Sequence, residues 1–379
     1  MKLFSKEILL LLISILLFST AMGMDFVTFP AVLTKNGIDP GRIGIALSSD
    51  ILSGIIMSFF LSKIVARFGA FFIFAFSSIL YATAICLIYF YQNFYLWLGF
   101  CFLMGSCWFM SIIIKTSWLN SLTANKNRSL ILGIFSMMIS MGIFLGPVIV
   151  DFCGALNYLS FLISAALVTM AFATLLPIRN TIKIKISSHR IPLKTFFKKN
   201  PRCFLARLVL DFTSYSLLLF SVIFGNKIGM TQEKSGLLIS AYMASGFSDV
   251  LVGFLLKKYN VYKMINFGFI GCLSCFLIVI FHHNNYLFLL TLYFIFGFFI
   301  ACIFVSVFTI VNQDYPKEKL VAANSTFQLI GSIGSLLAGL SGGYLINIFG
   351  KLGLPFAIIF SCIFYLTFLV IYERKKYKT

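Results

Sequence analysis

The chain has 379 residues, of which 60% are hydrophobic and only 11% charged, with 46 Phe and a formal net charge of +19. So little charge cannot cover the surface of a water-soluble domain of this length. The sequence holds no nucleotide-binding loop, catalytic triad or metal-ligand cluster, so neither an enzyme nor a cofactor is expected.

Apolar runs of 18 or more residues recur along the chain, each long enough to cross a hydrocarbon core about 30 Å thick as a helix. Twelve spans are expected, at about 8–33, 42–63, 70–91, 94–119, 130–152, 156–177, 204–225, 235–256, 262–282, 286–310, 321–346 and 353–372. The expected fold class is therefore an all-α membrane protein with twelve transmembrane helices. With the N-terminus in the cytoplasm, the inner segments carry 24 Lys and Arg and the outer loops five. That bias follows the positive-inside rule, so both termini are expected in the cytoplasm and the chain in the inner membrane. The basic charge then serves topology and contact with anionic lipid, and no nucleic-acid partner is expected.

The start, MKLFSKEILLLLISILLF, has the basic head and apolar run of a signal peptide. The run is long, and no convincing small-x-small cleavage site follows, so it reads as an uncleaved first helix. Asp25 lies about eight residues from the outer end of span 1, and Asp50 about eight from the outer end of span 2. At 1.5 Å per residue each sits roughly 12 Å deep, near the midplane. An intramembrane charge costs at least about 2.5–3.5 kcal/mol, so both are candidate proton carriers, with neutral or hydrogen-bonded packing acids as the alternative. Lys115, four residues from the inner end of span 4, either snorkels to the cytoplasm or contacts substrate or a carboxylate. Phe18, Trp108, Trp118 and Tyr215 are candidates to line a pathway. Span 5 contains GIFSMMISMGIFLGP, with Gly133, Gly142 and Gly146 followed by Pro147.

Between spans 6 and 7 the segment Arg179–Arg202 carries eight Lys or Arg and no acid. It reads as a basic cytoplasmic connector over 179–203, joining a half at 1–178 to a half at 204–379. A shift of 192 residues lays Ser48, Ser53 and Gly54 over Ser240, Ser245 and Gly246, and Gly37 and Gly44 over Gly229 and Gly236. Such a repeat predicts two pseudo-symmetric six-helix halves, the usual build of a secondary transporter. In the second half, Arg207 and Asp211 have the four-residue spacing of an intrahelical ion pair, although Asp211 is also a candidate substrate contact. Asp249 lies four residues before Gly253 in span 8. Nine cysteines are scattered; Cys272 and Cys275 form a C-x-x-C without a second pair, which reads as buried thiols.

With these features the chain resembles the major facilitator superfamily over its full length. The family's loop G-x-x-x-D-R-x-G has its counterpart in Ser62-Lys-Ile-Val-Ala66-Arg67-Phe-Gly69, where Arg67 and Gly69 match. The equivalent second-half stretch, Gly253-Phe-Leu-Leu-Lys257-Lys258, keeps the glycine and a basic residue but no acid, a place that Asp249 is a candidate to fill. Proton-coupled efflux members carry G-x8-G-x3-G-P-x2-G-G in helix 5. Gly133, Gly142, Gly146 and Pro147 fall on that spacing, with Val150 and Asp151 replacing the last pair. Moved by 192 residues, the frame meets Gly334, Ala338 and Gly339, followed by Gly342 and Gly343. Asp25-Phe-Val-Thr-Phe-Pro30 is similar to helix 1 of drug–proton antiporters. Lys115-Thr-Ser-Trp118-Leu-Asn120, followed by Asn127-Arg128, is similar to E-S-W-L-N…R-G of a bacterial branch, with lysine in place of glutamate. The helix 4 arginine of many efflux members would fall on Cys101.

The resemblance implies a monomeric transporter moving a small molecule by alternating access, with protons as coupling ion and export by antiport favoured. Asp25 and Asp50 are its expected proton-coupling residues. Arg67, Gly69, Gly133, Gly142, Gly146, Pro147, Asp249, Gly253, Gly334 and Gly339 are its expected gate and hinge residues, and Lys115, Trp118 and Asp211 its candidate substrate contacts. Proton-coupled uptake, and a non-transporting receptor or assembly protein on the same fold, are the alternatives.

Overall fold

The structure is a computed structural model that describes residues 5–91, 93–123, 128–181, 191–316 and 319–376. Asn127 of the span 4–5 motif and the middle of the basic connector, 182–190, lie outside the described residues.

Among the described residues all regular structure is helical: α1 (Lys6–Lys35), α2 (Pro40–Phe68), α3 (Ala70–Ile88), α4 (Phe94–Leu122), α5 (Arg128–Cys153), α6 (Tyr158–Ala173), α7 (Leu193–Lys199), α8 (Pro201–Lys227), α9 (Gln232–Ala244), α10 (Ser248–Leu255), α11 (Val261–Phe281), α12 (Tyr286–Asp314), α13 (Leu320–Phe349) and α14 (Gly353–Lys376). Side-chain caps set many of the starts, because a short polar side chain satisfies a first-turn N–H that the helix leaves orphaned. Ser5 caps α1, and Asn93, Asn157, Asn200, Asn260 and Asn285 cap α4, α6, α8, α11 and α12.

Eleven stretches among the described residues are long and apolar enough to cross a membrane. The last, Ala322–Arg374, holds both α13 and α14, joined by a 3-10 turn at Gly350–Leu352; the expectation of twelve spans counts these two separately. Another, Gln232–Leu255, is split into α9 and α10 by a 3-10 turn at Ser245–Phe247, a break absent from the sequence expectation.

The chain forms two compact units: Met1–Ile38, Ile45–Ser188 and Gln232–Ser240 in one, and Asp39–Gly44, His189–Thr231 and Ala241–Thr379 in the other. In the first, α1 packs against α5 and α6, and α3 against α4 and α6. In the second, α8 packs against α13 and α14, and α11 against α12. Two short segments complete the units. In the first unit Val27 lies against Gly236, Ser240 Oγ donates to Phe144 O at 2.7 Å, and Glu233 Oε1 accepts from the Ala155 N–H at 3.1 Å. In the second, Asp39 Oδ1 accepts from Asn347 Nδ2 at 2.8 Å, and Gly44 abuts the Gly339 carbonyl.

The described end of the connector is folded. Thr326 Oγ1 accepts from Ile191 N at 3.0 Å and donates to Ile191 O at 2.7 Å, tying the approach to α7 onto α13. Phe196 is buried against Tyr315, and Lys199 reaches the Asp314 carbonyl at the end of α12, where a cation meets the negative end of the helix dipole.

Candidate functional site

One face of α1 organises the buried polar groups of the first unit. Ser14, Phe18, Ala21 and Asp25 follow one another at steps of four, three and four residues, so they share a stripe along the helix. Asp25 is buried, with 7% of its surface exposed. Its Oδ2 accepts from the Tyr81 hydroxyl of α3 at 2.8 Å, and its Oδ1 accepts from Ser164 Oγ of α6 at 3.0 Å. Ser164 Oγ also lies 3.3 Å from the Ala21 carbonyl. Among the described residues no basic group forms an ion pair with Asp25. Pro30 stands one turn beyond it inside α1 and donates no ladder hydrogen bond.

Lys115 of α4 packs against this stripe, but far from Asp25. Its ammonium is fully buried, 3.4 Å from the Ser14 carbonyl, and lies 4.7 Å from the Phe18 ring centre and 5.1 Å from that of Phe74. Such contacts offset part of the desolvation of a cation. The snorkelling alternative is therefore set aside: the side chain is held inside α1, α3 and α4. Ser14 and Asp25 are eleven residues apart, about 16 Å along the helix, so the carboxylate is not the lysine's partner either. Phe18 links the two positions, packing edge-on to Tyr81 at 5.0 Å and against Trp108 at 5.1 Å. Trp118 is fully buried, and its indole N–H finds no acceptor among the described residues.

Asp50 is half-buried on α2. Its backbone is where α2 meets α4: a Cβ on Gly105 would fall on the Cα, carbonyl carbon and oxygen of Asp50. Ser53 Oγ donates back to the Asp50 carbonyl at 2.6 Å. Tyr81 and Cys101 lie within electrostatic reach of both Asp25 and Asp50.

The span 5 glycines divide by role. Gly142 packs onto Leu16 and Ser19 of α1, and Gly146 onto the backbone of Gly23 and Met24, while Gly23 itself abuts Ile143. These glycines let the backbones of α1 and α5 touch. Among the described residues, nothing lies within 4 Å of where a Cβ on Gly133 would stand. Pro147 lies inside an unbroken α5. In the second unit Gly334 packs onto Leu208 of α8, as Gly142 does onto Leu16 one repeat earlier, and Gly339 presents its carbonyl to Gly44. Gly69 starts α3 with φ of +83°, a conformation that side chains resist. Arg67 is exposed, with its guanidinium over the Phe68 ring at 5.3 Å. Gly253 has open space around it, and Asp249 lies in the first turn of α10, half-buried.

Arg207 and Asp211 form the ion pair that their spacing predicts, with Nε 2.7 Å from Oδ2. Arg207 also donates to Gln328 Oε1 at 3.3 Å, and its guanidinium lies 4.5 Å from the Phe327 ring centre and 5.5 Å from that of Phe304. Gly331 of α13 leaves room for the pair: a Cβ there would meet both side chains. Cys272 and Cys275 are buried thiols of α11. Sequence reasoning missed Tyr81, Ser164, Phe74 and Gly105. Lone hydroxyls within apolar spans were the only available signal for Tyr81 and Ser164.

These features define a polytopic helical membrane protein built as two compact units, with a buried acid held by two hydroxyls in one and an Arg–Asp ion pair in the other. The model of the major facilitator superfamily matches residues 11–244 and 203–378, and the chain belongs to that family, a family of transporters rather than enzymes. A curated relative, an uncharacterised MFS-type transporter of Yersinia enterocolitica, is 26% identical over 179 residues, 46% of this chain and 47% of the relative. A Yersinia pestis counterpart is 25% identical over the same length. The chain spans about half the length of the curated relatives it matches. Among solved structures, the nucleoside transporter NupG is similar with a TM-score of 0.79 at 14% identity, covering 99% of both chains. A POT family transporter in complex with a thioalcohol-conjugated peptide has a TM-score of 0.73 at 12% identity, covering 97% of this chain and 96% of its own. At these identities the likeness is one of fold.

Proposed function

We propose that the protein is a proton-coupled secondary transporter of the inner membrane, with both termini cytoplasmic, moving a small solute by alternating access. Asp25 carries the coupling proton and Asp50 assists. The observation behind this reading is the setting of Asp25: a buried carboxylate held by two neutral hydroxyls, with no cation paired to it among the described residues. An acid without a counter-ion loads and unloads a proton without parting from a salt-bridge partner, which a carrier needs and a structural ion pair resists. The close α1–α5 crossing at Gly142, Gly146 and Gly23 supports a seam along which the helices rock, with Gly334 and Gly339 on α13 as its second-half partners. Export by antiport is the favoured direction, on the span 5 spacing.

The test uses inside-out membrane vesicles from cells making the protein, with an acid interior imposed, and a panel of lipophilic, weakly polar and anionic labelled solutes. The expected result is accumulation of one solute class that collapses with the pH gradient and is absent from vesicles lacking the protein. Solute leaving the vesicles instead would mean uptake into the cell. Movement that ignores the gradient would overturn proton coupling.

A further inference from the structure

We propose that Ser164 is the positioning residue that lets Asp25 exchange its proton without stranding a hydrogen-bonding group; this rests on the proton-carrying role proposed for Asp25. The carboxylate sits between two hydroxyls with different freedom. Tyr81 faces Oδ2 at 2.8 Å, and its O–H donates there whether the group is a carboxylate or the carbonyl oxygen of a carboxylic acid. Ser164 faces Oδ1 at 3.0 Å and has a second acceptor, the Ala21 carbonyl, at 3.3 Å. A serine hydroxyl has one hydrogen and two lone pairs, and it rotates to suit.

Two complete hydrogen-bonding arrangements follow. With Asp25 ionised, the Ser164 hydrogen points to Oδ1 and Tyr81 donates to Oδ2. When a proton from the aqueous phase reaches Oδ1, the Ser164 hydrogen turns to the Ala21 carbonyl, and the new Oδ1–H donates to Ser164 Oγ. Departure of the proton reverses the turn. One proton enters or leaves, no other bond to hydrogen is broken, and in both states Ser164 has a partner for its hydrogen. Without that second acceptor, protonation of Oδ1 would leave the hydrogen of the buried Ser164 hydroxyl without an acceptor, which is costly.

The ionisable groups around Asp25 leave this part to Ser164. Tyr81 of α3 and Cys101 of α4 are within electrostatic reach of Asp25, and both are also within reach of Asp50 of α2, while Lys115 of α4 is bonded at Ser14, about 16 Å along α1. α6 carries no acidic or basic residue, and the acid of α5, Asp151, is exposed. In the segment of α9 that joins this unit, Glu233 is engaged with Ala155 N, and Lys234 stands beside it in sequence.

The test is infrared spectroscopy of the full chain in phospholipid vesicles across a pH titration, with the proton as the only ligand. The band of protonated Asp25 is identified by its loss in Asp25→Asn. Ser164→Ala should move that band and displace its titration midpoint by about half a pH unit or more, roughly threefold in proton affinity. Ser164→Thr, which keeps the hydroxyl, should restore both. If Ser164→Ala does not accumulate, Ser164→Cys, with a weak donor and weak acceptor, should show the same displacement. A band and midpoint unchanged in the hydroxyl-free variant would overturn the role of Ser164 while leaving proton carriage by Asp25 intact. The absence of any band lost in Asp25→Asn would instead overturn the proton-carrying reading, and the role of Ser164 with it.

Discussion

The crossing of α2 with α4 and the crossing of α9 with α12 are the same joint built twice with different chemistry. Gly105 and Gly297 are 192 residues apart, the interval that also separates Ser53 from Ser245 and Asp50 from Tyr242. In the first unit a Cβ on Gly105 would strike the Asp50 backbone, and Ser53 bonds back to the Asp50 carbonyl at 2.6 Å. In the second a Cβ on Gly297 would strike Ser245 and come within 2.7 Å of the Tyr242 carbonyl, and Ser245 bonds back to that carbonyl at 2.6 Å. The backbone is conserved between the copies, while the side chain at the joint is a carboxylate in one and a phenol in the other. A similar contrast holds elsewhere in each unit: among the described residues Asp25 has no cationic partner, whereas Asp211 is paired with Arg207.

The largest expected effect separates the two acids. Asp25→Asn should reduce gradient-driven transport to the level of vesicles lacking the protein, while the protein still accumulates in the membrane; vesicle transport and immunoblotting read the two. Asp211→Asn should act the other way, because it leaves Arg207 buried beside a neutral group. Removing one partner of a buried pair costs about 3–5 kcal/mol, so thermal unfolding in detergent should show a clear loss of stability. If the two replacements behaved alike, the functional asymmetry would be broken.

The joint itself gives a smaller, symmetric effect. Gly105→Ala and Gly297→Ala should each destabilise by about 1–3 kcal/mol, since each methyl group meets backbone or a seated serine. Gly133→Ala and Gly253→Ala, with open space at both positions, should lie within about 1 kcal/mol of the parent and on the stabilising side. Thermal melts of the four variants sharpen the distinction between glycines that admit a neighbour and glycines that do not.

How much of this was legible in the sequence depends on the range of the interaction. Helix existence followed from apolar length, and the Arg207–Asp211 pair from a four-residue spacing, because both are local. Lys115 was not legible: its solvation is decided by Phe18 and Phe74, residues 97 and 41 positions away in the chain. Tyr81 and Ser164 were invisible for the same reason, each meeting Asp25 only through tertiary packing. The break between α9 and α10 is an instructive intermediate case. Ser53-Gly54 and Ser245-Gly246 are equivalent, and both serines bond back, yet α2 continues while α9 stops. After Gly54 come Ile55-Ile56-Met57; after Gly246 come Phe247-Ser248-Asp249. Ser and Asp favour helix starts, so the helix resumes there as α10.

The smallest expected effect is on the loop before α2. Partial burial raises the proton affinity of Asp39, but hydrogen bonds from Asn347 and from the Arg42 and Gly41 N–H groups, with the charge of Arg42, outweigh it and hold the carboxyl below its usual range. Its contacts therefore contribute fully above the unfolded value of about 3.9 and are lost as pH falls through the lower folded value. The carboxylate is half exposed, so Asp39→Ala should cost under about 1 kcal/mol at neutral pH and nothing once the parent is itself protonated, as paired melts at neutral and strongly acid pH would show.

The central claim is that the first unit carries the proton. It is tested most directly by comparing the parent, Asp25→Asn and Asp211→Asn in vesicles, with solute accumulation under a pH gradient measured beside solute exchange at equal pH. Asp25→Asn is expected to keep exchange and lose accumulation, and Asp211→Asn to lose both in step with its folded fraction. Full gradient-driven accumulation by Asp25→Asn would contradict it.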